Sequence, residues 1–400
     1  MSGRDVRIDV IRGAGILMIA LDHLGALAAQ LAPAPFVLPF VTWTRLGWSS
    51  AAEFFVFFSG YLVGSVFMTT LASRGFGVTQ ARGLYRAWQI YAANTLTCCV
   101  ALIVMNLAPF ADGRVLAVTR MDMFSPAAGG QGLLGFLTLQ SAPMFFEILY
   151  MYLAFLSVAG LMLVLVRAHA LAAVLVSGAL WLFVQWQPGF NPGGWHFNPY
   201  AWQFAFVLGI VFSRTALIGQ LEARFGRRRL LAVTAPILAG ALLVKTLDKT
   251  GTWPPLLGDF DMPGIDKRTL GPLRLVHFLV SVVFVTLLLP DGARLVRSWT
   301  ARIVARVGQH SLECFCLSTL LAYAGAGLLV RHDAVGSPGV LALGMIILVA
   351  LCAAAGALQW LKSKPWRSPG APASLARPAP DARPARSAQP ERLFAKGRSP

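Results

Sequence analysis

Residues 4–31 read RDVRIDVIRGAGILMIALDHLGALAAQL, a basic head running into an apolar stretch interrupted near its far end by Asp22 and His23. The apolar part is long enough to cross a hydrocarbon core of roughly 30 Å as a single helix. Arg12 and His23 lie eleven positions apart. At about 100° per residue this is three turns plus about 20°, so both side chains share one helix face. Along the axis they stand roughly 16 Å apart, half the thickness of the core. Ionisable groups at such depth are costly, and function is the first expectation for them.

The rest of the chain has the same character. Its 400 residues are 56% hydrophobic and only 13% charged, with mean hydropathy +0.65. A soluble domain carries roughly 25% charge, so the expected class is an all-α, polytopic membrane helix bundle. The net charge is +17, but the basic residues fall in short clusters between apolar runs. That pattern sets membrane topology and excludes the continuous basic face that nucleic-acid binding needs. Cys98, Cys99, Cys314, Cys316 and Cys352 lie in apolar segments without zinc-site spacing. They read as small hydrophobes, with no disulfide framework and no metal site expected. Ala26-Leu27-Ala28 loosely resembles a signal-peptidase site, but the run is long and holds Asp22 and His23. A retained signal anchor is the expectation.

Apolar runs occur at about 10–31, 50–70, 88–108, 143–166, 170–187, 199–213, 230–247, 274–290, 310–330 and 338–361, giving about ten transmembrane helices. The stretch 132–142 is too short to span and reads as interfacial or re-entrant. With ten spans, 25 of the 34 Lys and Arg fall on the side of the N-terminus. The positive-inside rule then puts both termini in the cytoplasm. Residues 1–361 form the transmembrane domain. Residues 362–400, rich in Pro, Ala, Ser and Arg, read as a disordered basic cytoplasmic tail.

This topology assigns depths. Glu53 enters the second helix level with His23, where a carboxylate would orient the imidazole and stabilise its protonated form. Asp22 is the less natural partner, being about 100° round the helix. Against a catalytic role, a lone intramembrane histidine often only bonds a neighbouring helix, and Arg12 alone is an ordinary topology anchor. Glu147, Trp195, His196, Asn198, Trp202, Gln203, Arg274 and His277 gather at the outer ends of helices. Aromatic rings beside hydrogen-bonding groups suit a carbohydrate, although an interfacial aromatic belt looks the same in sequence. On the inner side Arg12, Arg82 and Arg86 offer guanidinium groups for phosphates, with topology signalling as the plainer role for the latter two. Glu313 needs a partner, for which Arg306 and Arg12 are candidates. Asp259, Asp261 and Asp266 read as a solvated loop.

The N-terminal third also carries a resemblance. Residues 4–9, Arg12-Gly13 and Leu21-Asp22-His23 resemble the opening of the membrane-bound osmoregulated periplasmic glucan succinyltransferases, the OpgC type. Residues 48–64, WSSAAEFFVFFSGYLVG, resemble that family's second-helix motif, and residues 86–91 and 307–312 its third and ninth helix starts. The family is related to the membrane acyltransferase-3 group, whose hallmark is an Arg and a His separated by ten residues in the first helix; Arg12 and His23 match it. The resemblance implies an enzyme of the bacterial cytoplasmic (inner) membrane. It would transfer an acyl group, typically succinyl, from cytoplasmic acyl-coenzyme A to hydroxyls of a periplasmic glucan or related glycan. By that analogy His23 is the catalytic base, or forms an acyl-histidine, and Arg12 lies near the coenzyme A entrance. Acyl-coenzyme A is then a donor substrate, and no permanently bound cofactor is implied. The rival from another class is a proton-coupled transporter of a small anionic molecule, which inverted repeats or paired broken helices would favour. A purely structural membrane protein leaves the buried Arg, His and Glu unexplained.

Overall fold

Where the chain first turns back on itself, Gly75 adopts φ 78° and ψ −178°, a left-handed value that glycine reaches without a Cβ penalty. A continuous helix would separate Thr70 from Arg82 by about 18 Å, yet Arg82 Nη1 donates to Thr70 Oγ1 at 2.7 Å. The bend thus converts one long helical stretch into two legs, the second and third apolar runs of the sequence.

The computed structural model describes residues 6–32, 39–107, 110–250, 264–289, 292–364 and 366. Among them there is no strand. The first six helices are α1 (Val6–Leu31), α2 (Ala51–Asn106, bent at Gly75), α3 (Gly113–Thr119), α4 (Gln131–Leu137), α5 (Glu147–Ser157) and α6 (Ala159–Ala168). Then follow α7 (Ala170–Trp186), α8 (Pro199–Thr215), α9 (Leu217–Phe225), α10 (Arg227–Thr250) and α11 (Pro272–Leu288). The chain finishes with α12 (Gly292–Arg297), α13 (Trp299–Gln309), α14 (Ser311–Arg331) and α15 (Ser337–Ser363). It divides into two units, residues 1–359, which contain the site, and 360–400. The expected tail from residue 367 onward, and Asp259 and Asp261, lie outside the described residues; Asp266 is described, and its carboxylate accepts from Thr269 N at 2.9 Å.

Every apolar run falls on helix, but the count of ten is not what helix length and composition support. Five helices, α1, α2, α10, α14 and α15, are long and apolar enough to cross a membrane. The pairs α5–α6 and α8–α9 are bent by 54° and 62° and raise the number to seven if each is one span. Helices α7 and α11, of 17 residues each, reach only about 26 Å. An apolar run in sequence does not reveal a bend inside it. The stretch 132–142 forms the end of α4 and the turn after it.

Helix α1 is held by close backbone contact with α13. A Cβ on Gly13 would lie 1.9 Å from the Val304 carbonyl oxygen, and one on Gly308 would lie 1.9 Å from that of Asp9. Small residues permit such contact where apolar burial gives little drive between helices. The contact also fixes Arg12 beside the start of α14. Gly13→Leu is therefore expected to prevent this packing and sharply reduce the monodisperse protein recovered in detergent. An unchanged size-exclusion profile and melting temperature would refute it.

Candidate active site

Helix α1 carries His23 to the wall of a cavity of about 1020 Å³. The imidazole stacks on Phe145 with ring centroids 3.7 Å apart and planes within 7°, and meets Phe315 edge-on at 5.8 Å. Its Nδ1 is buried and has no hydrogen-bond partner among the described residues. Buried polar atoms are nearly always paired, so the unpartnered Nδ1 sets His23 apart among the residues that line the cavity.

Phe145 itself has φ 75°, rare and strained for a bulky residue. Its neighbours over-determine that conformation: Met144 N donates to Thr119 O at 2.9 Å, and the buried Tyr323 hydroxyl donates to Met144 O at 2.6 Å. Sequence reasoning missed Phe145 because a phenylalanine inside an apolar run carries no signal of its own.

The two carboxylates expected to orient His23 are occupied elsewhere. Glu53 is fully buried, and its Oε2 accepts from Ser50 N at 2.7 Å and Ser50 Oγ at 2.6 Å. Its Oε1 accepts from Arg274 Nη1 at 2.6 Å. Glu53 thus caps α2 and neutralises Arg274, because the carboxylate three residues into a helix reaches back to the residue before it. Asp22 does line the His23 cavity. However, its two oxygens accept from Thr42 Oγ1 at 2.6 Å and Thr44 Oγ1 at 2.7 Å, tying α1 to the loop before α2.

Of the residues expected to bind a glycan, Glu147 and His196 line the cavity with His23. Glu147 bonds Arg120 at 3.3 Å and accepts from the His196 backbone N–H at 2.5 Å. Burial holds the His196 imidazole below its usual pKa, with the Glu147 carboxylate opposing. Trp195, Trp202, Gln203 and His277 do not line this cavity, which corrects the expectation. The indole of Trp195 donates to Leu139 O at 2.6 Å, and that of the buried Trp202 to Lys267 O at 3.0 Å. Gln203 is bonded to Ser177 and Tyr200. His277 Nδ1 lies 2.8 Å from Ser49 Oγ. A buried Trp or His must find a partner, and here the partners are loop backbone and Ser49.

Sequence reasoning also passed over Arg45, Arg120, Lys245 and Lys267, which line the same cavity. Their signal was visible as the minority of basic residues outside the positive-inside set. Lys245 donates to the carbonyls of Thr44, at 2.5 Å, and Gly47.

Arg12, Arg82 and Arg86 come together, as the sequence anticipates, on a second cavity of about 480 Å³. Arg12 Nη2 donates to Ser311 Oγ at 2.5 Å, and its guanidinium lies 5.8 Å from the Phe55 ring centre. Arg82 covers the Phe67 ring at 4.7 Å. Arg86 Nη1 donates to Gln89 Oε1 at 2.8 Å. Glu313 lines this cavity too. Phe315 lines both cavities; its ring stacks with Phe55 at 6.4 Å, and Phe55 meets Tyr152 edge-on at 5.3 Å. A cluster of guanidinium groups, an aromatic partition and an imidazole therefore follow one another through the bundle.

Apolar helices of membrane length enclose two cavities that share Phe315, the architecture of a membrane protein. The chain belongs to the OpgC protein family, whose model matches residues 4–363, from the start of α1 to the end of α15. Membership implies a transferase. Neither a comparison with curated proteins nor one with solved structures gave a match.

Proposed function

We propose that the protein is an O-acyltransferase of the bacterial cytoplasmic membrane. It moves an acyl group, succinyl by family resemblance, from cytoplasmic acyl-coenzyme A to a hydroxyl of a periplasmic glucan. With the basic head of α1 on the cytoplasmic side, the Arg12 cavity opens inward and the His23 cavity outward. Arg12, Arg82 and Arg86 hold the donor's phosphates by charge-assisted hydrogen bonds, and the thioester is presented past Phe315. The acceptor hydroxyl gives its proton to His23 as its oxygen attacks the thioester carbonyl. The new C–O bond forms, the C–S bond breaks, and the proton passes from the imidazolium to the departing sulfur. The products are an ester and the free coenzyme A thiol.

One observation supports this reading above others: Phe315 lines both cavities, with the arginines on one side and His23 on the other. The test is release of free thiol by purified protein given acyl-coenzyme A and a gluco-oligosaccharide. In that assay Arg82→Ala with Arg86→Ala is expected to raise the KM for the donor about tenfold or more, two charged contacts being lost. The kcat should change little, and an unchanged KM would remove these arginines from the donor site.

The bent pairs α5–α6 and α8–α9 favour the transporter reading, because transporters build sites from broken helices. Here the breaks are used differently. The side chain of Gln80 bonds Ser157 O at 2.5 Å and Gly160 N at 3.0 Å across the first. Neither Val158 nor Ala216, the break residues, lines either cavity. A transporter would release no thiol.

A further inference from the structure

The mechanism above leaves one ammonium of the His23 cavity unused. Arg120 is paired with Glu147, Lys245 is bound to two carbonyls, and Arg45 is exposed. Lys267 lines the same wall. Among the described residues its Nζ has no hydrogen-bond acceptor and no carboxylate within ion-pair distance; its contact is the face of the Phe197 ring, at 5.4 Å. The backbone beneath it is fixed. Trp202 donates to the Lys267 carbonyl at 3.0 Å, and Asn198 N to the Arg268 carbonyl at 2.9 Å. The Asp266 carboxylate takes the N–H groups of Arg268 and Thr269.

The carboxylates nearby have their own donors. Asp22 is held by two threonines, and Glu147 by Arg120 and the His196 amide. A positioned cation without an acceptor, in a cavity walled largely by apolar groups, has its affinity for an anion set in advance. An aliphatic acyl chain has no use for such a group. A carboxylate drawn into the same space requires one, because an unpaired charge away from water is costly. Burial also pulls the Lys267 ammonium below the usual lysine pKa, with Glu53 opposing, and a bound anion would reverse that effect.

We propose that Lys267 binds the free carboxylate of a dicarboxylic acyl group while the opposite carbonyl is transferred at His23, making this lysine the determinant of acyl choice. This rests on the acyl-transfer reading and adds the residue that would select the acyl class. An anionic group on the acceptor is the other source of the same chemistry, and the test separates the two.

Purified full-length protein is assayed for thiol release with succinyl-coenzyme A and with butyryl-coenzyme A, which has a methyl in place of the carboxylate. Each donor is offered a neutral gluco-oligosaccharide and its carboxymethylated form. The wild type should prefer succinyl in kcat/KM by about tenfold to a hundredfold, the range of one charge-assisted hydrogen bond. Lys267→Met should erase that preference by raising the KM for succinyl-coenzyme A alone, and Lys267→Arg should retain most of it. Equal losses on both donors in Lys267→Met would overturn the proposal, as would a loss that follows the charge of the acceptor. A wild type that uses both donors equally overturns the carboxylate site and leaves acyl transfer standing. One that releases thiol from neither overturns both.

Discussion

His23→Ala should lower thiol release from acyl-coenzyme A by about 10²- to 10⁴-fold, the usual contribution of a positioned general base. The protein should still insert and fold, because the imidazole Nδ1 has no hydrogen bond to lose among the described residues. What the substitution removes besides the proton acceptor is ring contact with Phe145 and Phe315, worth about 0.5–1.5 kcal/mol per aromatic pair. Activity and stability are thus expected to separate: a large loss of rate, a small shift in melting temperature, and donor binding preserved in the Arg12 cavity. Normal quantities of acylated glycan from this variant would remove His23 from the chemistry.

Glu53→Ala is expected to do the reverse. The Glu53–Arg274 pair is buried, with the carboxylate fully enclosed, and removing one member of such a pair costs about 3–5 kcal/mol because the other charge is left behind. The cap on α2 is lost with it, adding about 1 kcal/mol. Against a total stability of about 5–15 kcal/mol, that is enough to deplete the folded population, and little protein should survive extraction in detergent. Replacing both members together, Glu53→Gln with Arg274→Met, should recover much of the yield. A Glu53→Ala protein that stays stable yet releases no thiol would restore the orienting role that sequence alone suggests for this residue.

These two outcomes mark where sequence reasoning reaches and where it stops. Helical periodicity places Arg12 and His23 on one face, and the structure sets each on a cavity that also contains Phe315. The arginines at 82 and 86 are legible for a different reason: they cluster between the second and third apolar runs, on the same side as Arg12 in the topology that basic residues set. Glu53 was misread because depth in the membrane gives a level and no direction. Its Oε2 is taken by Ser50, three residues earlier, and a local cap of this kind forms whatever lies across the bundle. Trp195, Trp202 and His277 look like a sugar platform in sequence, since nothing there distinguishes an indole that faces a cavity from one that props up a loop. Helix length and composition support five to seven spans, with the Gly75-bent α2 counted once and the 17-residue α7 and α11 left out; the bends at Val158 and Ala216 are backbone events that no glycine announces in sequence.

Phe315 contributes one phenyl ring between the two cavities, four residues of helix beyond the Ser311 that holds Arg12 in place, roughly one turn. A thioester has to clear only that ring for its acyl carbon to arrive at the imidazole. Hydrated ions approaching from either chamber meet an apolar aromatic barrier instead, where shedding water is prohibitively expensive. On the proposed reading, a cell could decorate polymers beyond its membrane with metabolites made within it and keep its electrochemical gradient insulated throughout.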